Sequence, residues 1–573
     1  MKTFSITTLG CRVNHYESEQ LATLLRGWGL VQAPPGQGDV RVVHTCSVTV
    51  QAASKSRQSV RRATRLAVLP STAVGGSCAD DSGVTDPVAA VALATGLSLS
   101  GEPSVRDDIV ETASRAKVIV TGCWATSHPE EAAALGGVDA VLGHHQDVDQ
   151  ELSRLLTQWQ TEAERPGLPT SPGCVAAESK THAGSTLPKP VLNDGWMIQQ
   201  AGTPAGLITS ANEPHVAFEV NGKLEVDENP CEEVHEVASR RTARLRGMTT
   251  LPQLGERQTG HQRAFLKVQD GCDAHCTYCI IPQLRPRLWS KSIDDAVEEA
   301  RRLVDAGHVE IVLTGIFLGA YGQPTALRRR QTTAAAEPLG RLVETLCTRV
   351  RGLGRLRLSS LEPGDLTEDL LAVLKGSSQV VPHFHLPLQS GSDRLLRRMN
   401  RQYGRQDFLE MADRVKGAFE RPAITTDIIV GFPGESDEEF ERTVDVVRRV
   451  GFLHIHAFSY SPRPKTAAAR WTKEHVRGPV VNERIDMLRA MAMEYSQAFR
   501  ASFAGETVEV LVERASSEEQ EMEALAGYQH GRCERYFAVH FQSEGLPCGA
   551  LARVRVDRVT PTRTFGTLLE GGR

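Results

Sequence analysis

Residues 264–281 read AFLKVQDGCDAHCTYCII. The stretch opens on an apolar, strand-like run, Ala264 to Val268, and passes into a loop that carries Cys272, Cys276 and Cys279. The C-terminal end of a strand is where parallel barrels build their active sites. Three thiolates at this spacing suit an iron–sulfur cluster, and three protein ligands leave one iron open to a ligand that is not protein. Zinc is the competing reading. It favours four ligands in paired CxxC or CxxC/HxxxH spacing, and no second pair lies nearby.

Downstream of this loop the pattern is regular. Strands are expected at 264–268, 309–314, 354–360, 381–387, 423–430 and 453–459, and helices near 291–306, 337–350, 366–375, 405–418, 436–450 and 480–500. Six strand–helix units fit a partial parallel barrel, a (β/α)6 core over 263–500. From about 501 to 573 the period becomes two, with Val508, Val510 and Val512, then Tyr536 to Val539, then Val554 and Val556. That alternation predicts a small closed or sandwich β domain, and the resemblance given below implies a β-barrel.

Upstream, residues 1–155 also alternate strands and helices. Strands are expected from Phe4 to Thr8, Val40 to His44, Lys117 to Val120 and Val138 to Leu142; helices from Asn14 to Trp28 and Val50 to Leu66. The fold class is therefore α/β, with an N-terminal parallel sheet. Residues 67–112 interrupt it without clean periodicity, as an insertion. Residues 156–262 hold PGLPTSPG, STLPKP and AGTPAG, which are linker signals, and a candidate hairpin around Asn221-Gly222.

Composition narrows the function. The chain has 573 residues, enough for about four domains. Lys plus Arg is 65 and Asp plus Glu is 70, a net charge of -5, which excludes a globally basic nucleic-acid binder but not a local basic groove. No run approaches the ~18 apolar residues of a membrane span, and the N-terminus lacks a secretory h-region, so a cytoplasmic protein is expected. Twelve cysteines in such a chain point to metal rather than disulfides.

Three more cysteines share a topological position. Cys11 follows the first strand, Cys46 the second and Cys123 the third. Thiols just past parallel strands converge on one sheet edge, where a second cluster can sit. Taken singly, each would read as an ordinary buried thiol. Cys78, Cys174, Cys231, Cys347, Cys533 and Cys548 show no such pattern.

The CxxxCxxC spacing resembles the radical S-adenosylmethionine superfamily. TLGCRVNHYESEQ, HTCSVT, SKSRQSVRRA and TGCWA resemble the N-terminal domain of its methylthiotransferases. AFLKVQDGCDAHCTYCII, SSLEP, HLPLQSGSD, TTDIIVGFPGE and HAFSYSPRP resemble their radical domain, and the C-terminal segment resembles the TRAM domain. TLGCRVN, SSLEP and HAFSYSPRP resemble the branch that modifies threonylcarbamoyladenosine in tRNA. The resemblance implies transfer of a methylthio group to C2 of that adenosine, next to the anticodon. It implies two 4Fe–4S clusters, S-adenosylmethionine, an electron donor and a sulfur source. Because the target ring C–H bond is unactivated, the hard chemistry must come from a cofactor. His44 departs from the family's usual Asn, and Pro286 and Trp289 depart after the radical cysteines.

The expected cofactor pocket is Tyr278, Thr314, Gly315, Ser359, Glu362, Gln389 and Asp427, mostly at strand ends. Gly315 would allow close backbone approach, and 431–435 would be a further turn or ligand loop. Expected RNA contacts are Arg285, Arg535, Tyr536 and Phe537, with Tyr536 and Phe537 alternating into core and surface as the other reading, and basic runs lie at Arg57 to Arg65 and Arg394 to Arg405. The protein is expected to be monomeric. Rival readings are methylthiolation of an aspartate on a ribosomal protein, and an iron–sulfur RNA-binding protein without catalysis.

Overall fold

Strands Thr3–Thr8 (β1), Val31–Gln32 (β2), Val40–Thr45 (β3), Lys117–Gly122 (β4) and Ala140–Leu142 (β5) make one parallel sheet in the order β2-β1-β3-β4-β5. Every position of β3 is buried, as expected for a central parallel strand covered on both faces. Helices Arg12–Gly27 (α1) and Val50–Arg65 (α2) supply part of that cover, and Thr49 caps α2 through Ala52 N. The helix Val148–Glu164, absent from the expected elements, packs Leu152, Leu155, Leu156 and Trp159 against Phe4, Leu25 and Val42.

The computed structural model describes residues 1–66, 115–164, 254, 262–327, 338–515, 525, 527–543 and 545–571. The expected insertion at 67–112 and nearly all of 160–260 lie outside the described residues, as do Asn221-Gly222, Cys78, Cys174 and Cys231.

The middle of the chain is the expected six-stranded parallel half-barrel. Its strands are Ala264–Lys267 (β6), Glu310–Thr314 (β9), Arg355–Leu358 (β10), His383–His385 (β11), Ala423–Val430 (β12) and His454–Ser459 (β13). They form two triplets, β10-β9-β6 and β11-β12-β13, joined by the parallel bridges Leu356↔Val380 and Ser360↔His385. The short pair Gln269–Asp270 (β7) and Trp289–Ser290 (β8) flanks the cysteine loop. Trp289, a departure from the family pattern, is thereby a strand residue paired with Asp270.

The strands turn an apolar outer face to the helices and a mixed, largely polar face inward. Leu266, Ile311, Leu313, Leu356, Phe384, Ile424, Ile428 and Ile455 join the core. On the other face the register aligns His385, Thr425 and His454, then Asp427 and His456, then Ile429 and Phe458. Alternation at period two explains this split.

Thr507–Glu513 (β14), Tyr528–Cys533 (β15), Ala538–Gln542 (β16), Leu551–Val559 (β17) and Thr564–Gly571 (β18) close into a barrel in the order β14-β15-β16-β18-β17. Val508, Val510, Val512, Phe537, Val539, Phe541, Val554 and Val556 fill it. Arg355 ties it to the half-barrel through Glu509.

Candidate active site

The loop 271–279 is held by main-chain geometry. Gly271 has φ 79°, and a Cβ there would lie 1.8 Å from the Arg287 carbonyl oxygen, so only glycine fits. Cys272 N–H donates to Arg285 O (3.1 Å), Cys279 N–H to Cys276 O (3.0 Å) and Thr277 N–H to Met399 O (3.0 Å). Asp273 accepts from Thr325 Oγ1 (2.6 Å) and Ala326 N (2.7 Å). Arg401 Nη1 lies 3.1 Å from Cys276 Sγ and its other arm pairs with Glu362. Burial pushes the Cys272 and Cys279 thiols up to about 12. Bound metal cations offset such a penalty, because they deprotonate a coordinating thiol.

The second set of thiols is built at the C-terminal edge of the five-stranded sheet. Cys11 is the N-cap of α1, Cys46 follows β3 and Cys123 follows β4. Asn14 donates to Leu9 O (2.7 Å) and Thr45 O (3.1 Å), tying the ends of β1 and β3 together. A Cβ on Gly10 would sit 2.8 Å from Asn14 Nδ2 and 3.1 Å from Cys46 Sγ, so the glycine keeps the space beside that thiol open. Gly122, at φ 94°, lets β4 approach Thr45 O and His44. Burial raises the Cys123 thiol to about 12 and raises Cys46 as well. Arg463, itself buried, is close enough to Cys46 to favour its thiolate.

The two thiol sets meet. Cys123 packs directly on Ile280 and Leu284, the residues that follow Cys279. Among the described residues, no three His, Cys, Asp or Glu side chains close on one point as ligands of a single ion. The open cradle at Gly10, the three-thiol donor sets and the cation at Cys276 fit iron–sulfur clusters.

Arg285 corrects the sequence reading. It was expected on RNA, yet it is buried between the two thiol loops. Its guanidinium donates to Glu17 (2.7 and 2.8 Å) and Asp270 (3.0 and 2.9 Å) and lies 3.1 Å from His144 Nε2. Lys267 completes the network through Glu17 (2.7 Å) and Asp270 (2.6 Å). Burial opposes ionisation of both carboxyls, but Arg285 and Lys267 hold them below the usual range. Burial and Arg285 push His144 down to about 3, so its imidazole stays neutral. His44, where the family has Asn, belongs here too, 3.0 Å from Ser18 Oγ and 3.5 Å from Glu17. Glu17, Lys267 and Asp270 are not singled out in the sequence, and Arg401 is read there only as one of a basic run, because nothing local marks a charge that pairs across the fold.

Of the expected cofactor residues, Thr314 ends β9, Gly315 and Ser359 directly follow β9 and β10, and Asp427 lies inside β12. Thr314 is buried and its carbonyl accepts from Val268 N (2.9 Å). Gly315 makes room for Gln269, whose Cβ and Oε1 would lie 2.9 Å from a Cβ there. Ser359 is buried with its hydroxyl unbonded. Gln389, at φ 61°, bridges to β12 through Asp427 O and Ile429 N. Asp427 accepts from or pairs with His385 Nε2 at 3.2 Å. Tyr278 packs edge-on to Phe432 with its hydroxyl 3.5 Å from Arg401. The 431–435 segment is a packing turn: Glu435 accepts from Gly431 N (2.8 Å) and pairs with Arg484 (2.7 Å).

Of the other expected RNA contacts, Phe537 is core of the C-terminal barrel, packed edge-on or tilted against Phe499 and Phe503, while Arg535 and Tyr536 are part-exposed. Arg535 donates to Glu420 O and Arg421 O and pairs with Glu534. Tyr536 turns inward at φ 74° to stack on His383 at 4.6 Å. Arg394, Arg398, Arg401 and Arg405 are each spent on a carboxylate. Arg61, Arg62 and Arg65 of α2 remain exposed.

The description "Radical SAM superfamily" matches residues 266–447, and "Uncharacterized protein family UPF0004" matches residues 3–85. The threonylcarbamoyladenosine tRNA methylthiotransferase MtaB of Bacillus subtilis (strain 168) is 29% identical over 97% of this chain and 94% of its own length. The protein of the same name from Chlamydia pneumoniae is 37% identical over 54% of this chain and 69% of its own. The tRNA-2-methylthio-N(6)-dimethylallyladenosine synthase of Maricaulis maris (strain MCS10) is 34% identical over 55% of this chain and 66% of its own. Fold and cysteine loop together define a radical S-adenosylmethionine enzyme, which carries a 4Fe–4S cluster and uses S-adenosylmethionine. Within that class the chain belongs to the methylthiotransferases.

Proposed function

We propose that this enzyme adds a methylthio group to C2 of N6-threonylcarbamoyladenosine, next to the anticodon of tRNA. The observation that carries the reading is the contact of Cys123 with Ile280 and Leu284, which sets the loop carrying Cys123 beside the loop of Cys272, Cys276 and Cys279. The relatives named for this substrate support its choice, since one aligns over 97% of the chain.

Cys272, Cys276 and Cys279 would hold one cluster, and Cys11, Cys46 and Cys123 a second. Bound there, the first would supply the electron for reductive cleavage of S-adenosylmethionine, and the second would hold the sulfur to be transferred. The chain's own residues do the rest. Arg401 places a fixed positive charge against Cys276 and is itself oriented by Glu362. Arg463 does the same for Cys46. Arg285 and Glu17 lock α1, and with it Cys11, to the radical loop. Tyr278, Thr314, Ser359, Gln389 and Asp427 line the rim where the nucleoside sulfonium cofactor is to bind. The domain scheme 1–155, 263–500 and 501–573 then assigns sulfur delivery, radical generation and RNA binding in that order, in a monomer.

Mass spectrometry of tRNA nucleosides from a deletion strain tests the reading, with loss of the methylthio-nucleoside as the expected result. Its persistence overturns the substrate assignment. Anaerobically prepared protein should hold about eight irons, falling to about four when Cys272, Cys276 and Cys279 are all changed to Ala. Cys46→Ala should still form 5′-deoxyadenosine without methylthiolated tRNA; Cys276→Ala should form neither.

A further inference from the structure

The inner face of β13 ends on an uncovered ring. Ile455 and Ala457 pack on the core, so His454, His456 and Phe458 share the opposite face. The rings on that face form a row. His454 and His456 meet at 4.3 Å, and His456 and Phe458 lie near-parallel, 16° apart at 6.2 Å. His456 also meets His385 at 5.9 Å, and His385 pairs with Asp427 at 3.2 Å. Phe458 is the last of the row, beside Ile429 in the strand register, and stays 45% exposed. A phenyl ring left in water forgoes the burial that normally stabilises it.

A single exposed apolar side chain is ordinary, but this one has neighbours. Among the described residues eight large apolar side chains are exposed, and three of them, Val48 (54%), Val50 (51%) and Phe458, belong to one junction. Val50 N–H donates to Ser461 Oγ at 2.9 Å. Ser461 is three residues past Phe458, at most about 11 Å of chain. Val50 is the first residue of α2, four past Cys46, and Val48 lies in the loop between. The chain beyond Ser461 then runs to the other thiol set. Gln283 donates to Lys465 O (2.9 Å), and Ala468 N–H donates to the carbonyl of Thr277, which lies between Cys276 and Cys279 (2.9 Å). Phe458 therefore stands at the head of a segment, 461–468, that bonds at one end to the start of α2 and at the other to the radical loop.

We infer that Phe458 is the surface on which the adenine ring to be modified stacks, with Val48 and Val50 as an apolar lip on the side of Cys46. The inference rests on the proposed function. A base splayed out of an RNA loop is recognised by stacking on an aromatic side chain. A ring held at Phe458 lies where the two thiol sets are tied together, and the carbon that is to gain sulfur has to be reached from both. Stacking uses the face of the purine and leaves its edge, and with it C2, unobstructed.

The test is a binding cycle. Kd is measured for an anticodon stem-loop with adenine at the target position and for the same RNA with an abasic ribose there, using iron-loaded wild type, Phe458→Ala and Phe458→Tyr. Wild type should bind the adenine RNA about 5- to 150-fold more tightly, the worth of stacking one base on an aromatic side chain. Phe458→Ala should lose most of that ratio by weakening on the adenine RNA alone, and Phe458→Tyr should keep it. The salt slope of binding should not change, since no phosphate contact is removed. Met493→Ala, which removes a similarly exposed apolar side chain from the helix Gly478–Ala501, should alter neither Kd. Equal weakening of Phe458→Ala toward both RNAs would mean a backbone contact or a general structural role, and overturns the inference, as does an unchanged ratio. Iron content and far-ultraviolet circular dichroism establish that the variants are folded. If wild type makes no methylthiolated threonylcarbamoyladenosine, the functional reading has failed; if it does and Phe458→Ala keeps the ratio, only the inference has.

Discussion

Replacing Arg285 by Met should destabilise this protein through charge rather than shape. In the native structure Glu17 and Asp270 are each negative, Lys267 and Arg285 each positive, and all four are buried. Methionine fills much of the same space but leaves two carboxylates against one ammonium, with four guanidinium hydrogen bonds of 2.7–3.0 Å gone. Breaking a buried pair by removing one partner costs about 3–5 kcal/mol. The pH dependence has a definite sign. Wild-type Glu17 and Asp270 have lowered pKa values, so their contribution is present above the ordinary carboxylate range and is lost as pH falls through their folded values. In Arg285→Met an orphaned carboxyl takes up a proton more readily, so the deficit is full near neutrality and shrinks toward about pH 5. Urea unfolding of the iron-loaded proteins, followed by tryptophan fluorescence at about pH 7.5 and about pH 5.5, reads both effects. A difference below about 1 kcal/mol near neutrality, or a gap that widens on acidification, would refute the assignment of Arg285 as the buried partner of both acids.

Gly271→Ala should remove about four irons per chain, because its Cβ cannot coexist with the Arg287 carbonyl at 1.8 Å; wild-type iron content on metal analysis would contradict this. Phe537→Ala should cost about 3–5 kcal/mol as a core truncation and leave the salt slope of tRNA binding unchanged. Arg61→Gln with Arg62→Gln should instead leave stability alone and lower that slope by about 0.9 for each phosphate no longer neutralised; an unchanged slope would remove α2 from the RNA-binding surface. Ultraviolet absorbance should show one tyrosine ionising near pH 8 that is missing in Tyr536→Phe. Since that pKa is lowered from 10.0, wild type should gain stability over Tyr536→Phe as pH rises from 8 toward 10, and a flat difference would refute the arginine surroundings.

The sequence by itself determined the strand–helix order, the half-barrel, the small closed barrel and the two three-cysteine sets. These are local properties: hydrophobic period, turn residues and spacing within a few positions carry them. All six core strands fall within the ranges that the periodicity predicts, and Cys11, Cys46 and Cys123 each follow a strand as expected. The roles of the charged and aromatic residues were decided by tertiary structure alone. Arg285 reads as an RNA contact until α1 brings Glu17, 268 residues away, against it. Lys267 meets the same acid across 250 residues. Tyr536 and Phe537 are neighbours that the sequence reads either as RNA-stacking rings or as alternating between core and surface. The positive φ at Tyr536 sends its ring to His383 and the arginines, while Phe537 drops into the barrel core. A charge or ring has no fixed function in the chain; its partner fixes it, and the partner is chosen by folding.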